Sequence, residues 1–259
     1  MIVLEKNSIE FDKAKTLYKE VFCDGDSFVK TIMSTVSVAS VDIENEEVVS
    51  CAFARNKQIR VEDKIIDVPF LFGVATKKDY RGQNRASKVI NEILEYLKPL
   101  YDFVLLCPAN IGLYDFYSRF GFEKLCFFNY KTKKIENGVK IKEGNVSDAK
   151  ILAKLFNKYN QTEKVAQYRT PESMKIKLEE IVSDNGKIQK IIKNNRTIGY
   201  YLFDDIVLES INANFKEAID GIKTVELSNI QDITDGCPGV VIKKFRDVSI
   251  EHIKFYEMW

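Results

Sequence analysis

The first third of the chain changes between a helical and an extended hydrophobic pattern. Apolar side chains recur at helical spacing from Phe11 to Val21, which predicts an amphipathic helix, and a second short helix is predicted over residues 27–34. Alternating or wholly apolar runs predict strands, with a hairpin turn at Glu62 and Asp63. The predicted strands cover residues 2–4, 36–42, 48–55, 58–62 and 64–69.

The segment from residue 70 to residue 107 has the pattern of a strand, a helix and a strand. Residues 70–76 are almost wholly apolar, which is typical of a strand buried on both faces. A second buried strand is predicted over residues 103–107, where Pro108 ends it. Because a βαβ unit makes its two strands parallel, these strands should run side by side in the same direction. The helix between them, residues 84–97, has one apolar face made of Val89, Ile90, Ile93, Leu94 and Leu97.

A further helix is predicted from about Asn110 to Phe120, with Asn110 as its N-cap. Gly121 suits the left-handed residue that ends a helix, and Phe122 should close over it. A strand over residues 123–130 follows, and the polar stretch 131–138 predicts a domain boundary. The inner face of the helix is predicted to contain Leu113, Phe116, Tyr117 and Phe120.

The second half repeats the order of elements of the first without repeating its sequence. A strand over 140–142 and a helix over 148–159 precede a second helix, for which Thr170 is the N-cap and Pro171 the first residue. Three strands follow, over 188–193, 198–203 and 207–212, with a turn at residues 194–195. This order predicts a mixed α/β chain with a divergent tandem duplication, divided into domains 1–134 and 138–259.

Composition excludes several classes of function. With 39 basic and 38 acidic residues, the net charge of +1 argues against a general nucleic-acid binder. The N-terminus lacks a leader pattern, no apolar run is long enough to cross a membrane, and five scattered cysteines indicate a reduced, cytoplasmic protein. A single histidine, His252, argues against a His-based triad or a multi-His metal site, so no metal cofactor is expected. Any general base must be a carboxylate, a tyrosine, a backbone group or water.

The loop that joins the strand 70–76 to the next helix has the character of a diphosphate site. At the start of a helix, free backbone amides and the helix dipole attract a phosphate group. Gly82 allows the backbone to approach closely, Ala86 keeps the first turn slim, and Arg81 and Arg85 add positive charge. Neither a P-loop nor a dinucleotide Gly-x-Gly-x-x-Gly motif occurs. The alternative interpretation is a surface helix start that contains a glycine.

This loop, Tyr80-Arg81-Gly82-Gln83-Asn84-Arg85-Ala86, resembles the cofactor signature of the GNAT superfamily of N-acetyltransferases, with Asn84 where glycine is usual. Asparagine is among the least costly non-glycine residues in a left-handed conformation. The family's second signature is an asparagine followed by an aromatic helix that ends in Phe-Tyr-x-x-x-Gly-Phe. The run from Asn110 to Phe122 matches it.

The resemblance implies a GNAT fold in which acyl-CoA lies between two splayed parallel strands. The pantetheine arm would pair with backbone of the first strand, at Phe72, Val74, Ala75 and Thr76. The diphosphate would bind the amides of Arg81, Gly82, Gln83, Asn84, Arg85 and Ala86, with Asn110 as a further cofactor contact. Tyr117 would protonate the departing thiolate, or would instead be only a core aromatic.

The run Tyr117-Ser118-Arg119-Phe120-Gly121-Phe122 is similar to one in the enhanced-intracellular-survival family, which pairs two GNAT-like domains. That resemblance implies a degenerate GNAT-like second domain and acetylation of amines, aminoglycosides among them. It also implies that the terminal carboxylate serves as base, which here would be that of Trp259. Members of that family normally add a third, sterol-carrier-like domain, for which this chain is too short. Trp259 has the alternative of being an apolar end packed against the body.

Three functional hypotheses remain at this point. The first is an N-acyltransferase that uses acetyl-CoA or another acyl-CoA to modify a primary amine of a small molecule or a peptide. The second is a module that binds acyl-CoA as a sensor or scaffold without chemistry. The third is an interaction protein in which neither half binds a cofactor. No nucleic-acid or membrane partner is expected, and the sequence leaves the formation of a homo-oligomer open.

Overall fold

A computed structural model describes residues 1–125, 127–132, 140–203, 207–211, 223–228, 239–248, 250 and 253. The helices are α1 (Ile9–Phe22), α2 (Asp26–Ser34), α3 (Arg85–Leu97), α4 (Leu113–Ser118), α5 (Ala149–Tyr159) and α6 (Pro171–Ser183), with 3-10 turns at Lys78–Tyr80 and Val146–Asp148. The strands are β1 (Ile2–Val3), β2 (Val36–Glu44), β3 (Glu47–Val61), β4 (Lys64–Thr76), β5 (Phe103–Leu106), β6 (Glu123–Lys124), β7 (Phe127–Thr132), β8 (Lys140–Glu143), β9 (Val165–Tyr168), β10 (Lys187–Lys193), β11 (Arg196–Phe203), β12 (Val207–Ile211), β13 (Lys223–Ser228) and β14 (Val241–Lys244). Among these described residues, no helix is both long and apolar enough to span a membrane.

The first sheet has the strand order β1-β2-β3-β4-β5-β14-β6, and β9 pairs with the outer end of β3. Strands β4 and β5 are parallel and joined by α3, which confirms the predicted βαβ unit. The five apolar residues predicted on one face of α3 are all buried. Helices α1 and α2 cover one face of this sheet, while α3 and α4 pack with the residues of the other face.

One long hairpin replaces four of the predicted strands. Strand β3 joins 48–55 to 58–62, and β4 joins 64–69 to 70–76; their ladder runs from Ser50↔Thr76 to Val61↔Lys64. The prediction of separate strands was wrong, because the backbone ladder continues through Asn56 and Lys57 in β3 and through Pro69 in β4. The turn itself lies where it was predicted, and Glu62 has a φ of 52°.

The second sheet has the order β7-β13-β12-β11-β10-β8, with α5 and α6 packed against its core residues. Its strands β8, β10, β11 and β12 are neighbours in the same order as β1, β2, β3 and β4. That is the order which a tandem duplication predicts, and the duplication stays a hypothesis. Thr170 caps α6 as predicted, since its hydroxyl accepts a hydrogen bond from the Ser173 amide at 3.1 Å.

The two sheets exchange strands near the predicted boundary. The single strand predicted over 123–130 was wrong, because β6 belongs to the first sheet and β7 to the second. Strand β14, from the end of the chain, lies between β5 and β6. Buried Leu125 separates β6 from β7, and its amide donates to the Val240 carbonyl at 3.0 Å. The division into 1–134 and 138–259 stays a prediction, but each sheet contains strands from both sides of it.

Helix α4 is shorter than predicted. It begins at Leu113 with Gly112 as N-cap, so the prediction of Asn110 as N-cap was wrong. The reason is a tight turn before the helix, in which the Leu113 amide bonds the Asn110 carbonyl at 3.2 Å. Gly121 ends the helical segment with a φ of 78°, as predicted. Tyr114, which the helical pattern did not place on the inner face, is buried, and its hydroxyl accepts a hydrogen bond from the Gly239 amide at 2.8 Å.

Candidate functional site

The parallel strands β4 and β5 part at one end of their ladder. They are paired at Phe70↔Leu105 and at Leu71↔Leu106. Strand β4 continues to Thr76, whereas β5 stops at Leu106 and is followed by Cys107 and Pro108. A wedge therefore opens between the strands beyond Leu71, which confirms the splayed strands expected of the fold.

A β-bulge lies in β4 where the wedge opens. Phe72 pairs with Phe53 and Ala75 with Cys51, so Gly73 and Val74 together stand opposite one residue of β3. Such a bulge leaves one residue out of the ladder and turns the strand locally. Gly73 has a φ of 60°, and a Cβ atom there would come within 2.9 Å of the Tyr18 ring. Both the conformation and the close approach require glycine.

A cavity of about 270 Å³ occupies this wedge. Tyr117 of α4 is 6% exposed and lies in its wall, and it makes edge-to-face contacts with Phe116 and Phe122. Burial, with a smaller contribution from Cys107, raises the pKa of Tyr117 well above its ordinary value of about 10, at which the phenol is already neutral at pH 7. The complete lining is Tyr18, Phe22, Asp24, Phe28, Phe70, Phe72, Gly73, Val74, Leu106, Cys107, Ala109, Leu113, Tyr117 and Asp184.

Two carboxylates in this lining were missed by the sequence analysis. Asp24 follows α1 and accepts a hydrogen bond of 2.8 Å from the Tyr18 hydroxyl. Burial, and then this hydrogen bond, raise the pKa of Tyr18 above its ordinary value. Asp184 follows α6 and so comes from the second half of the chain. A turn with two aspartates after α1 was a visible signal for Asp24, but no local pattern connects the end of α6 with the bulge of β4.

The loop between β4 and α3 has the backbone expected of the predicted diphosphate site. Gly82 has a φ of 77°, and Asn84 is left-handed with a φ of 60°. This agrees with the view that asparagine can replace the usual glycine at that position. Asn84 is the N-cap of α3 but makes no side-chain cap bond within this fully described loop. The first-turn amides of a helix have no partner inside the helix, so they can bind an anion.

The two arginines of this loop differ in their surroundings. The Arg81 Nε donates to the Thr76 carbonyl at 3.2 Å. Arg85 pairs with Asp42 at 2.9 Å and with Glu44, so its charge is shared with two carboxylates. Burial alone would raise the pKa of the Asp42 carboxyl, but hydrogen bonds from Lys88 and Arg85 lower it below the ordinary value. We therefore expect the backbone of the loop to contribute more to anion binding than the Arg85 side chain.

The remaining predicted site residues are placed as follows. Phe72, Val74 and Tyr117 line one cavity, although they are far apart in sequence. Ala75 is buried in β4, and the Thr76 hydroxyl lies 2.8 Å from that of Ser50. Asn110 is exposed in the turn before α4. Trp259 lies outside the described residues. The binding and catalytic roles of all these residues stay predictions.

The family model for an acetyltransferase (GNAT) domain matches residues 7–125, which include β4, the loop and α4. Residues 7–125 form a GNAT acetyltransferase domain. The prediction of this family, made from two short motifs, is confirmed. The matched segment ends before β14, although that strand completes the sheet of the domain.

Solved structures of acetyltransferases match nearly the whole chain. A probable N-acyltransferase from Enterococcus faecalis has 12% identity and a TM-score of 0.70, covering 95% of this chain and 72% of that one. A GCN5-related N-acetyltransferase from Anabaena variabilis has 15% identity and a TM-score of 0.68, with coverage of 95% and 73%. Eis1 from Mycobacterium abscessus has 10% identity and a TM-score of 0.61, with coverage of 95% and 74%.

These comparisons extend the fold beyond the GNAT domain. Because each covers 95% of the chain, the arrangement of both halves is shared with those structures. The predicted likeness to the two-domain enhanced-intracellular-survival enzymes is thus confirmed for the fold. No curated protein matches the sequence significantly.

Proposed function

We propose that the chain is an acyl-CoA-dependent N-acyltransferase that transfers an acetyl group from acetyl-CoA to a primary amine of a small molecule or peptide. The observation that carries this proposal is the bulge at Gly73 and Val74, which shares one cavity with Tyr117 where β4 and β5 part. A strand edge can pair with an extended donor, a bulged backbone N–H can stabilise a developing oxyanion, and a buried phenol can protonate a thiolate. Apart from Asp184, the residues that line this cavity belong to the GNAT domain.

The donor site follows from the backbone on the β4 side of the wedge. Beyond Leu71, strand β4 has no pairing with β5, so an extended pantetheine arm can pair with backbone from Phe72 to Thr76. The left-handed residues Gly82 and Asn84 direct the loop so that a diphosphate can bind the amides at the start of α3. Asn110, in the exposed turn before α4, would be a further cofactor contact.

The chemical step is a direct attack of the neutral amine on the thioester carbon. A nitrogen–carbon bond forms, the carbon–sulfur bond breaks, and the amine loses one proton to water or a carboxylate. The backbone N–H near Val74 donates to the thioester oxygen as negative charge develops there. Tyr117, a buried phenol that is neutral at pH 7, donates its proton to the departing thiolate and regains a proton from solvent.

Two carboxylates are candidates for the base that accepts the proton of the amine. The carboxylate of Trp259 is the candidate that the family resemblance offers, and Asp24 is the half-buried carboxylate that the cavity itself offers. Acid–base catalysis by a positioned group contributes about 10²- to 10⁴-fold. Removal of the terminal residue and Asp24→Asn can therefore be compared for their effects on kcat.

The test is the release of CoA from acetyl-CoA in the presence of a panel of amines. We expect Tyr117→Phe to lower kcat by about 10²-fold or more, because the variant has no phenol to protonate the departing thiolate. Tyr114→Phe is the matched control, since Tyr114 is buried on the same helix but does not line the cavity. Full kcat in Tyr117→Phe across the pH range would refute the acid role.

Calorimetry with CoA separates the proposal from its alternatives. Binding of CoA without acylation of any amine would support the sensor or scaffold hypothesis instead. If CoA gave neither heat nor thermal stabilisation, which should reach about 2.7 kcal/mol at a hundred times Kd, the site would not bind a cofactor at all.

A further inference from the structure

The end of α6 brings one acidic residue of the second half to the cavity and a second one to the wall behind it. Glu180 and Asp184 are four residues apart, so they lie on the same side of the helix end. Glu180 is buried and pairs with Arg55 of β3, and Asp184 lines the cavity. Both contacts cross from the second half to the strands that carry the candidate site.

Arg55 is a positive charge behind the aromatic wall of the cavity. It is 1% exposed, and its guanidinium lies 5.2 Å from the ring centre of Phe72 and 5.9 Å from that of Phe70. Both rings line the cavity. A buried cation without a partner is strongly unfavourable and would repel another cation nearby. Glu180 supplies the opposite charge and so neutralises this side of the wall.

The cavity itself favours a positive guest. Its lining, all within the described part of the chain, contains the acidic residues Asp24 and Asp184 but no lysine, arginine or histidine. The faces of aromatic rings also attract cations. Tyr117, nine-tenths buried in the same wall, adds a phenol for which no hydrogen-bond partner is found among the described residues. Asp24 and Asp184 thus share one cavity with the Tyr117 phenol, which is a polar group that a ligand can reach.

We propose that α6 completes the acceptor site, so that the acceptor binds as an ammonium cation with an apolar body. Asp24 and Asp184 bind the positive charge, and Glu180 is a positioning residue that acts through Arg55. The proposal rests on the proposed function, because it names the substrate class of that same cavity. An acceptor with a carboxylate near its amine would be repelled by Asp24 and Asp184.

The test compares a cationic arylalkyl amine with an aryl amine that is uncharged at the assay pH. In Glu180→Gln the charge of Arg55 remains but the Glu180 carboxylate that faces it is removed, so we expect KM for the cationic amine to rise about tenfold. The double variant Arg55→Gln/Glu180→Gln removes both charges and should return KM to within about threefold of the wild type. A role in stability alone would not give recovery confined to the cationic amine.

Asp184→Asn leaves the core unchanged, because the residue is exposed. We expect KM for the cationic amine to rise about threefold, as for an exposed charge pair. Asp63→Asn, at the exposed turn of the β3–β4 hairpin, is the matched control and should leave KM unchanged. Urea unfolding and the Kd for CoA are measured for every variant to establish that the donor site is intact.

A quaternary ammonium salt, benzyltrimethylammonium, provides a readout that needs no turnover, because it cannot be acylated. Calorimetry should detect its binding to the wild type and about tenfold weaker binding to Glu180→Gln. Absence of binding, or equal affinity in the wild type, Glu180→Gln and Asp184→Asn, would overturn the inference. Turnover of the uncharged amine alone would also overturn it while leaving the acyltransferase proposal intact. Binding of the quaternary ammonium without turnover of any amine would support the cation site and defeat the proposed function.

Discussion

Gly73→Ala is the substitution that tests the bulge most directly. The added methyl group must adopt a φ of 60° and would lie 2.9 Å from two ring carbons of Tyr18 and 3.0 Å from the ring of Phe53. The left-handed conformation costs a residue other than glycine about 1–2 kcal/mol. Overpacking against well-packed rings costs about 1–3 kcal/mol more. We therefore expect Gly73→Ala to lower the free energy of unfolding by about 2–5 kcal/mol.

Gly82→Ala separates the two contributions. Gly82 also has a positive φ, of 77°, but a Cβ atom there would meet nothing within 4 Å. Its replacement should cost only the conformational part, about 1–2 kcal/mol. The difference between the two variants is then the cost of the contact with Tyr18 and Phe53.

The assay is urea unfolding followed by circular dichroism. The dependence of the unfolding free energy on urea concentration is compared between variants, to check that each exposes the same surface on unfolding. If Gly73→Ala were no more destabilising than Gly82→Ala, the close packing of the bulge would be refuted. Turnover of acetyl-CoA is measured on the same samples. Since the methyl group displaces the backbone next to Val74, we expect kcat to fall in Gly73→Ala even at temperatures where the protein is fully folded.

Two further predictions concern the loop and its charged neighbours. The pKa of Asp42 is lower in the folded state, so this carboxylate stabilises the protein above its ordinary pKa of about 3.9, and the stabilisation is lost as pH falls through the folded value. In Asp42→Asn the free energy of unfolding should therefore decrease less between about pH 5 and pH 2 than it does in the wild type. The same decrease in both proteins would contradict this. Because residue 84 has a φ of 60°, Asn84→Ala should lower the free energy of unfolding, measured in urea, by about 1 kcal/mol. Asn84→Gly should leave the free energy of unfolding undiminished and should keep the affinity for CoA that calorimetry measures.

Much of the first half was predictable because its signals are local. The apolar face of α3 and the run of residues 70–76 determine a βαβ unit without knowledge of the rest of the chain. Asn84 and Gly82 have the backbone that their residue types favour. The motifs there depend on one loop and one helix, which is why the family could be identified from them.

What the sequence did not predict depends on contacts between distant segments. No local pattern indicates that the end of α6 reaches the wall formed by Phe70 and Phe72, or that Glu180 pairs with Arg55. The exchange of β7 and β14 between the sheets also has no local signature, since a short apolar strand can pair with any open edge. Asn110 illustrates the opposite case, in which a good capping residue was outcompeted by a tight turn.

Strand β14 explains how β4 and β5 can part without loosening the sheet. Strand β5 shares only two residue pairs with β4, yet all four of its residues pair with β14, from Phe103↔Lys244 to Leu106↔Val241. Beyond this ladder the Phe245 amide donates to the Asp102 carbonyl at 2.8 Å, which fixes the end of β14.

Because β14 holds β5 along its far edge, the position of β5 does not depend on further pairing with β4. The edge of β5 that faces β4 can therefore stay open to a ligand. A chain cut at residue 134 would lose β14. Strand β5 would then keep only its two residue pairs with β4, and its other edge would be unpaired. The proposed acyl-transfer site would thus depend on β14 for the strand that holds it open, and on α6 for its charge.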